Sequence, residues 1–304
     1  MPSSGKEAMA IVQERAPVLS VVIPAFNEEA AIAETVESVR AVLTATGEEG
    51  FEIIVVDDGS DDRTGEIAAV HGATVIRKLQ NLGYGNSLKI GILAAANDTI
   101  IITDADGTYP VDQIPALLAT YREGWDMVVG ARTGPHYHES PIKSPLRQLL
   151  KWLVEFTTGR KIPDVNSGLR VFSRREALPF FGHLSEGFSF TTSITLGYML
   201  RMKTVTYLPM PYHPRVGRTK VRMVRDSLRT IQFIVQAILY YNPMKIFLVL
   251  AMASALIGGL TVLAGLAFHA ITGILLGVGG MLVAVVIFAL GLLGEQLRQI
   301  SLRE

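Results

Sequence analysis

Thr99-Ile-Ile-Ile-Thr-Asp-Ala-Asp106 sets three consecutive isoleucines directly before two carboxylates. A short apolar β-branched run of this kind reads as a strand buried on both faces, with the acids at its carboxyl end. The pattern occurs twice upstream. Leu19-Ser-Val-Val-Ile-Pro24 is a strand closed by proline, and Phe51-Glu-Ile-Ile-Val-Val-Asp57 is a strand followed by Asp58. Ala73–Arg77 and Asp126–Gly130 read as two more strands. Helical stretches are expected over Glu28–Leu43, Asp61–Val70, Tyr84–Ala96 and Ile114–Glu123. Strands alternating with helices predict an α/β fold, a Rossmann-like and mainly parallel sheet with helices on both faces. Such sheets bind ligands beyond the carboxyl ends of their strands. Asp57, Asp58, Asp104 and Asp106 all fall there.

The remainder of the 304 residues differs in character. Apolar residues make up 49% of the chain and mean hydropathy is +0.34, with the excess gathered towards the end. No Asp, Glu, Lys or Arg lies between Lys245 and Glu295. One helix over that stretch would be roughly 70 Å long against a hydrocarbon core of about 30 Å, so two crossings fit, with the turn expected at Gly273 and its neighbours. Just upstream, Val221, Val224, Leu228, Ile231, Val235 and Ile238 recur at helical spacing with Arg222, Arg225 and Arg229 mostly off the stripe. That is the pattern of an amphipathic helix lying in the membrane interface. The expected organisation is a loose tail over 1–16, a catalytic domain over 17–220, the interfacial helix over 221–243, a two-helix transmembrane hairpin over 244–296 and a short tail over 297–304.

Charge is balanced, 28 Lys and Arg against 28 Asp and Glu, so nothing points to nucleic acid. Its distribution is uneven. Acids gather early, whereas Arg215, Arg218, Lys220, Arg222, Arg225 and Arg229 precede the apolar region and Arg298 and Arg303 follow it. Positive residues favour the cytoplasmic side, which predicts an integral membrane protein with its catalytic domain and both termini there. The absence of cysteine excludes disulfides and thiolate metal sites. The first sixteen residues are polar and mixed, without the apolar core of a signal peptide. The paired glycines Gly258-Gly259 and Gly279-Gly280 suit close helix packing, and are compatible with a homo-oligomer.

The acidic turns carry the chemistry. Asp104 and Asp106 are oxygen donors suited to Mg²⁺ or Mn²⁺, hard cations that bind through one or two carboxylates plus substrate phosphates. In Val56-Asp57-Asp58-Gly59-Ser60 a carboxylate can accept hydrogen bonds from a nucleobase and Gly59 permits a tight turn. The same turn can also cap the following helix through Ser60 or Asp61. Pro24-Ala-Phe26-Asn27-Glu28-Glu29 closes the first strand beside the same pocket.

Taken in order, P-x-F-N-E-E, V-D-D-G-S and D-x-D resemble family-2 glycosyltransferases of the GT-A fold. Within them the chain is similar to the polyprenyl-phosphate sugar transferases, a group that includes dolichyl-phosphate mannose synthase. Asn81-Leu-Gly83-Tyr-Gly-Asn86, Val129-Gly-Ala-Arg132, Asp164-Val-Asn-Ser167-Gly-Leu-Arg170 and Arg215-Val-Gly-Arg-Thr-Lys220 support the narrower match, over about residues 18–222. The resemblance implies a nucleotide site built from Pro24, Phe26, Asn27, Glu28, Asp57, Asp58, Gly59, Asn81 and Gly83, with Asp58 on the base and Asp57 supporting it. It implies that Asp104 and Asp106 face the metal and the diphosphate of a UDP- or GDP-sugar. Arg132, Ser167 and Arg170 would line the acceptor-phosphate region, and Arg215 and Lys220 would clamp phosphates near the bilayer. Asp164 would act as a base or orient an arginine, the latter favoured.

Two positions depart from the pattern of many relatives. Thr108 stands where they have Gln, and Thr191, Thr192 and Ser193 follow Gly187-Phe-Ser-Phe190 where they have an acid. Metal geometry and sugar contacts are therefore expected to differ from those of the mannose enzymes. The implied reaction is inverting transfer of a hexose to a polyprenyl phosphate. The alternatives are a processive polysaccharide synthase, whose Q-x-x-R-W motif Gln148-Leu-Leu-Lys-Trp152 does not match, and a non-catalytic nucleotide-sugar-binding membrane anchor.

Overall fold

The structure, a computed structural model, describes residues 19–48, 50–134, 152, 154–156, 158–214 and 223–301. Its chain falls into two compact units, Met1–Lys151 with Lys161–Thr230, and Trp152–Arg160 with Ile231–Glu304.

The first unit follows the expected alternation: β1 (Leu19–Ala25), α1 (Ile32–Ala45), β2 (Glu52–Asp57), α2 (Thr64–Val70), β3 (Thr74–Arg77), α3 (Tyr84–Ala94), β4 (Thr99–Ile102), α4 (Ile114–Arg122) and β5 (Met127–Thr133). Beyond these come β6 (Arg170–Ser173), α5 (Arg174–Ala177), α6 (Phe190–Leu200) and β7 (Val205–Pro211). Sheet order is β3-β2-β1-β4-β6-β5-β7. All neighbouring pairs are parallel except those made by β6, which runs antiparallel between β4 and β5.

Successive strand residues point to opposite faces, so β1 feeds two cores. Val21 and Ile23 join Ile53, Val55 and Ile101 beneath α1, α2 and α4. Val22 joins Ile54, Val56, Ile100 and Ile102 beneath α3 and α6. β1 and β4 are buried along their whole length, each large aliphatic contributing about 1.5–3 kcal/mol. Gly91 of α3 shows how tightly the second layer packs: a Cβ there would lie 2.4 Å from Val22 Cγ1.

α7 (Met223–Tyr241), whose residues from Ile231 onward belong to the second unit, ends at Asn242, whose side chain accepts from the Lys245 N–H and so caps α8 (Pro243–Ala267). Proline at the first position of α8 costs no hydrogen bond, because that N–H has no partner within a helix. The expected turn at Gly273 falls instead at Phe268–Ala270, and Gly273 lies inside α9 (Ile271–Ser301). His269 adopts φ 51°, donating to Leu266 O, while Ala270 donates to Gly265 O. This is the Schellman pattern of helix termination. Gly273 serves packing, since a Cβ on it would lie 3.1 Å from Gly265 Cα. Both α8 and α9 are long and apolar enough to cross a membrane, and aliphatics such as Leu256, Leu263, Leu276 and Val285 stand exposed along them. Of the amphipathic stripe Ile238 is buried and Ile231 and Val235 are half-buried; Ile234, beside the stripe, is also buried.

Candidate active site

The carboxyl ends of β1, β2 and β4 open on one edge of the sheet, and their loops are stitched together. Asn27 adopts φ 51°, a left-handed conformation that asparagine tolerates better than most residues. In it the Asn27 N–H donates to Ser60 Oγ (3.0 Å) and Asn27 Oδ1 accepts from the Asp61 N–H (2.8 Å). The Glu28 N–H donates to Thr64 Oγ1 (2.8 Å), and Glu28 itself is buried. Pro24 pairs with Val56 inside the sheet, and Phe26 is half-buried beyond it. Asp57 is fully buried, and its Oδ1 accepts from the Ser60 N–H (2.9 Å), closing the turn.

Asp58 works differently. Its carboxylate pairs with the Lys78 ammonium and accepts from the backbone N–H groups of Leu82 and Gly83, both at 2.9 Å. Lys78 also donates to Ser87 Oγ (3.2 Å). The pair is almost wholly buried, and Asp58 anchors the loop at Leu82 and Gly83. Glycine is required twice here. Gly59 has φ +72° and a Cβ on it would come within 2.7 Å of Gln80 backbone carbon; Gly83 has φ +107° and a Cβ would meet Glu186 O at 2.8 Å. Asn81 is exposed.

At the end of β4, Asp104 Oδ1 accepts from the Tyr84 hydroxyl (2.9 Å), and a Cβ on Gly168 would lie 2.7 Å from that oxygen. Asp104 thus stands where the first turn of α3 meets the Asp164–Arg170 loop. Asp106 is buried, and its Oδ1 accepts from both the N–H (3.2 Å) and the hydroxyl (2.6 Å) of Thr108. The threonine at the divergent position therefore holds an acid of the D-x-D. Among the described residues no group of three or more metal-ligating side chains stands together. Two carboxylates on one loop still fit Mg²⁺ or Mn²⁺, which complete their shells with water and substrate phosphates.

Asp164 is buried and gripped by Arg132: Nε donates to Oδ2 (2.7 Å), Nη2 to Oδ1 (2.9 Å) and the Arg132 N–H to Oδ2 (3.2 Å). Burial alone would push this carboxyl up. The Arg132 hydrogen bonds and charge, with the Asn166 N–H, outweigh it and hold Asp164 below the ordinary carboxylate value. Arg132 also lies over the Tyr212 ring, 5.4 Å from its centroid.

Two residues expected at the acceptor phosphate lie inside the fold. Ser167 and Arg170 are fully buried. Ser167 Oγ donates to Gly130 O (2.5 Å), while Arg170 donates to Ser167 O (2.8 Å), Val165 O (3.0 Å) and Thr195 Oγ1 (2.6 Å). Both help to fold the loop that carries Asp164. Burial lowers the Arg170 pKa from its ordinary value. Arg215 and Lys220 lie outside the described residues.

Comparison with known proteins matches residues 20–178 to the model for Glycosyl transferase family 2. The chain belongs to that family. Among family-2 relatives, a low-salt glycan biosynthesis hexosyltransferase of Haloferax volcanii is 36% identical over 230 residues, covering 72% of this chain and 53% of its own. A dolichyl-phosphate hexose transferase of the same organism is 30% identical over 204 residues, 67% of this chain and 86% of the relative. The chain thus spans about half the length of the first relative and most of the second. Glucosyl-3-phosphoglycerate synthase of Mycobacterium tuberculosis, solved with Mn²⁺, UDP and glucosyl-3-phosphoglycerate, superposes with a TM-score of 0.60 at 21% identity over 73% of this chain and 80% of that one. That likeness shows the GT-A fold.

Lys78, Tyr84 and Gly168 did not emerge from the sequence as site residues. Tyr84 sits inside the Asn81–Asn86 segment, but nothing in its spacing points across to Asp104.

Proposed function

We propose that this family-2 glycosyltransferase transfers a hexose from a UDP- or GDP-sugar to a polyprenyl phosphate, with inversion at the anomeric carbon. The observation that carries the reading is the Asp164–Arg132 pair. A carboxylate held ionised by a bidentate guanidinium is a poor proton acceptor, so its role is to orient Arg132 towards the acceptor. A phosphate monoester has a second pKa near 6 and arrives already ionised, so it needs no base. The dolichyl-phosphate hexose transferase likeness and the two apolar helices support a lipid-borne acceptor.

In this reading a phosphate oxygen attacks the anomeric carbon as the bond from that carbon to the diphosphate oxygen breaks. Asp57, Asp58 and the Asn27 and Asn81–Gly83 loops hold the nucleotide. Arg132 positions the acceptor phosphate, joined by Arg215 and Lys220. Mg²⁺ or Mn²⁺, held by Asp104 and Asp106 with the diphosphate, would neutralise the leaving group's charge. The catalytic domain would span 17–220 and work on the cytoplasmic face, its interfacial helix and spans keeping it near the lipid.

With purified protein, undecaprenyl or dolichyl phosphate and a panel of UDP- and GDP-sugars, one donor is expected to give an organic-extractable, mild-acid-labile product. NMR of that product should show the anomeric configuration opposite to the donor's. Retained configuration would contradict the single displacement.

A further inference from the structure

Tyr84 opens α3 directly after the two backbone amides that Asp58 binds, those of Leu82 and Gly83. Its hydroxyl donates to Asp104 Oδ1 at 2.9 Å. Three consecutive residues therefore link the carboxylate after β2 to the carboxylate after β4. The tyrosine ring is itself held, stacked on Phe188 with centroids 5.6 Å apart and planes at 19°. The Phe188 loop is in turn fastened to α3: the Asn86 N–H donates to Glu186 O (2.9 Å), Asn86 Nδ2 to Glu186 Oε2 (2.9 Å) and Lys89 Nζ to Leu184 O (2.7 Å). On the opposite flank of Asp104 is Gly168, where a Cβ would come within 2.9 Å of Oδ2 as well as 2.7 Å of Oδ1. The carboxylate sits between a phenol that donates to it and a glycine whose missing Cβ makes room for it.

We propose that Tyr84 is a positioning residue, its O–H fixing the rotamer of Asp104 for a divalent cation bound with the donor diphosphate. This rests on the reading of Asp104 as a metal-side carboxylate. A phenol suits the task for a definite reason. It is neutral, so it takes one lone pair of the carboxylate without cancelling the charge that attracts the cation. An ammonium in the same place would compete with the metal. The rigid ring, stacked on Phe188, also keeps the donor at one distance, which a flexible serine or glutamine would not.

The test is Mn²⁺ binding, read from the EPR signal of free Mn²⁺, to the full-length chain in detergent with saturating UDP and, separately, GDP. Tyr84→Phe keeps the ring on Phe188 and removes only the O–H. It is expected to weaken Mn²⁺ binding about tenfold, the scale set by groups that orient metal ligands. Asp104→Asn should weaken it further, and the double variant should be no weaker than Asp104→Asn alone, because both changes act through one carboxylate. Phe188→Leu loosens the stacked ring but keeps the O–H, and should lose clearly less than Tyr84→Phe.

Wild-type Mn²⁺ affinity in Tyr84→Phe, with Asp104→Asn impaired, would overturn the role of Tyr84. An equal loss in Phe188→Leu would overturn it too, because loop packing would then explain the effect. If Asp104→Asn also bound Mn²⁺ normally, the assignment of Asp104 itself would fall and the proposal with it.

Discussion

Replacing Asp106 with asparagine is expected to lower kcat/KM for sugar transfer roughly a thousandfold, about 4 kcal/mol of transition-state stabilisation. In the proposed reaction charge develops on the departing diphosphate, and Asp106 is one of the two carboxylates after β4 proposed to hold a cation against it. The substitution keeps an oxygen to accept from Thr108, whose N–H and hydroxyl now share Oδ1. The loop should therefore fold as before while the negative charge is lost. Steady-state kinetics across a Mn²⁺ titration check this. The variant should need more metal and remain slow even at saturation, with a melting temperature near wild type. Full turnover at limiting metal would remove Asp106 from the metal site.

Arg132→Ala should be costly in a different way. It leaves Asp164 almost fully buried, with its bidentate partner gone, and removing one member of such a pair costs about 3–5 kcal/mol. Transfer should become undetectable, since Arg132 is also the proposed guide for the acceptor phosphate. Arg132→Ala/Asp164→Ala should recover part of the stability, because no charge is then stranded, without recovering transfer. That split separates the structural part of the pair from its catalytic part. Denaturant melts and transfer assays on wild type and both variants read it out.

The pair also sets a pH dependence. The folded Asp164 carboxyl titrates below its unfolded value of about 3.9, so its contribution is complete above that value and is lost as pH falls through the lower folded one. Wild-type stability should therefore drop in that acid range, and the drop should shrink in Arg132→Ala/Asp164→Ala. Urea melts from about pH 2 to 6, which bracket the fall below the unfolded value of about 3.9, check it.

The first five strands were legible because each holds a compact run of β-branched or other apolar residues, and the acids after β2 and β4 mark their ends. β6 was hidden by its own first residue. Arg170 reads as a surface charge, yet it is fully buried and bonded to the carbonyls of Val165 and Ser167. No local rule announces a buried guanidinium whose partners are created only when the loop folds. α6 was missed for a related reason. Phe190–Leu200 is buried along nearly its whole length, so its threonines and serine mix with apolar residues without a polar face, and helical periodicity vanishes.

The site divides along the same line. Asp57, Asp58, Asp104, Asp106, Arg132 and Asp164 could be named because they recur in ordered motifs. Their partners Lys78, Tyr84 and Gly168 meet them only through crossovers of 20 residues in two cases and across the sheet in the third. Ser167 and Arg170 belong to a motif too, but membership did not reveal that they face inward. Burial depends on the β4-β6-β5 pairing, which motif spacing does not encode.

The central claim is that the acceptor is a phosphate carried on a lipid. Its most direct test offers the protein, with its donor and Mn²⁺, polyprenyl phosphate in parallel with the unphosphorylated polyprenol and a soluble oligosaccharide. The account predicts a glycosylated lipid phosphate, identified by mass spectrometry, from the first alone and its loss on chelation. Transfer to the oligosaccharide, or hydrolysis-free donor binding with no lipid product from folded protein, would contradict it.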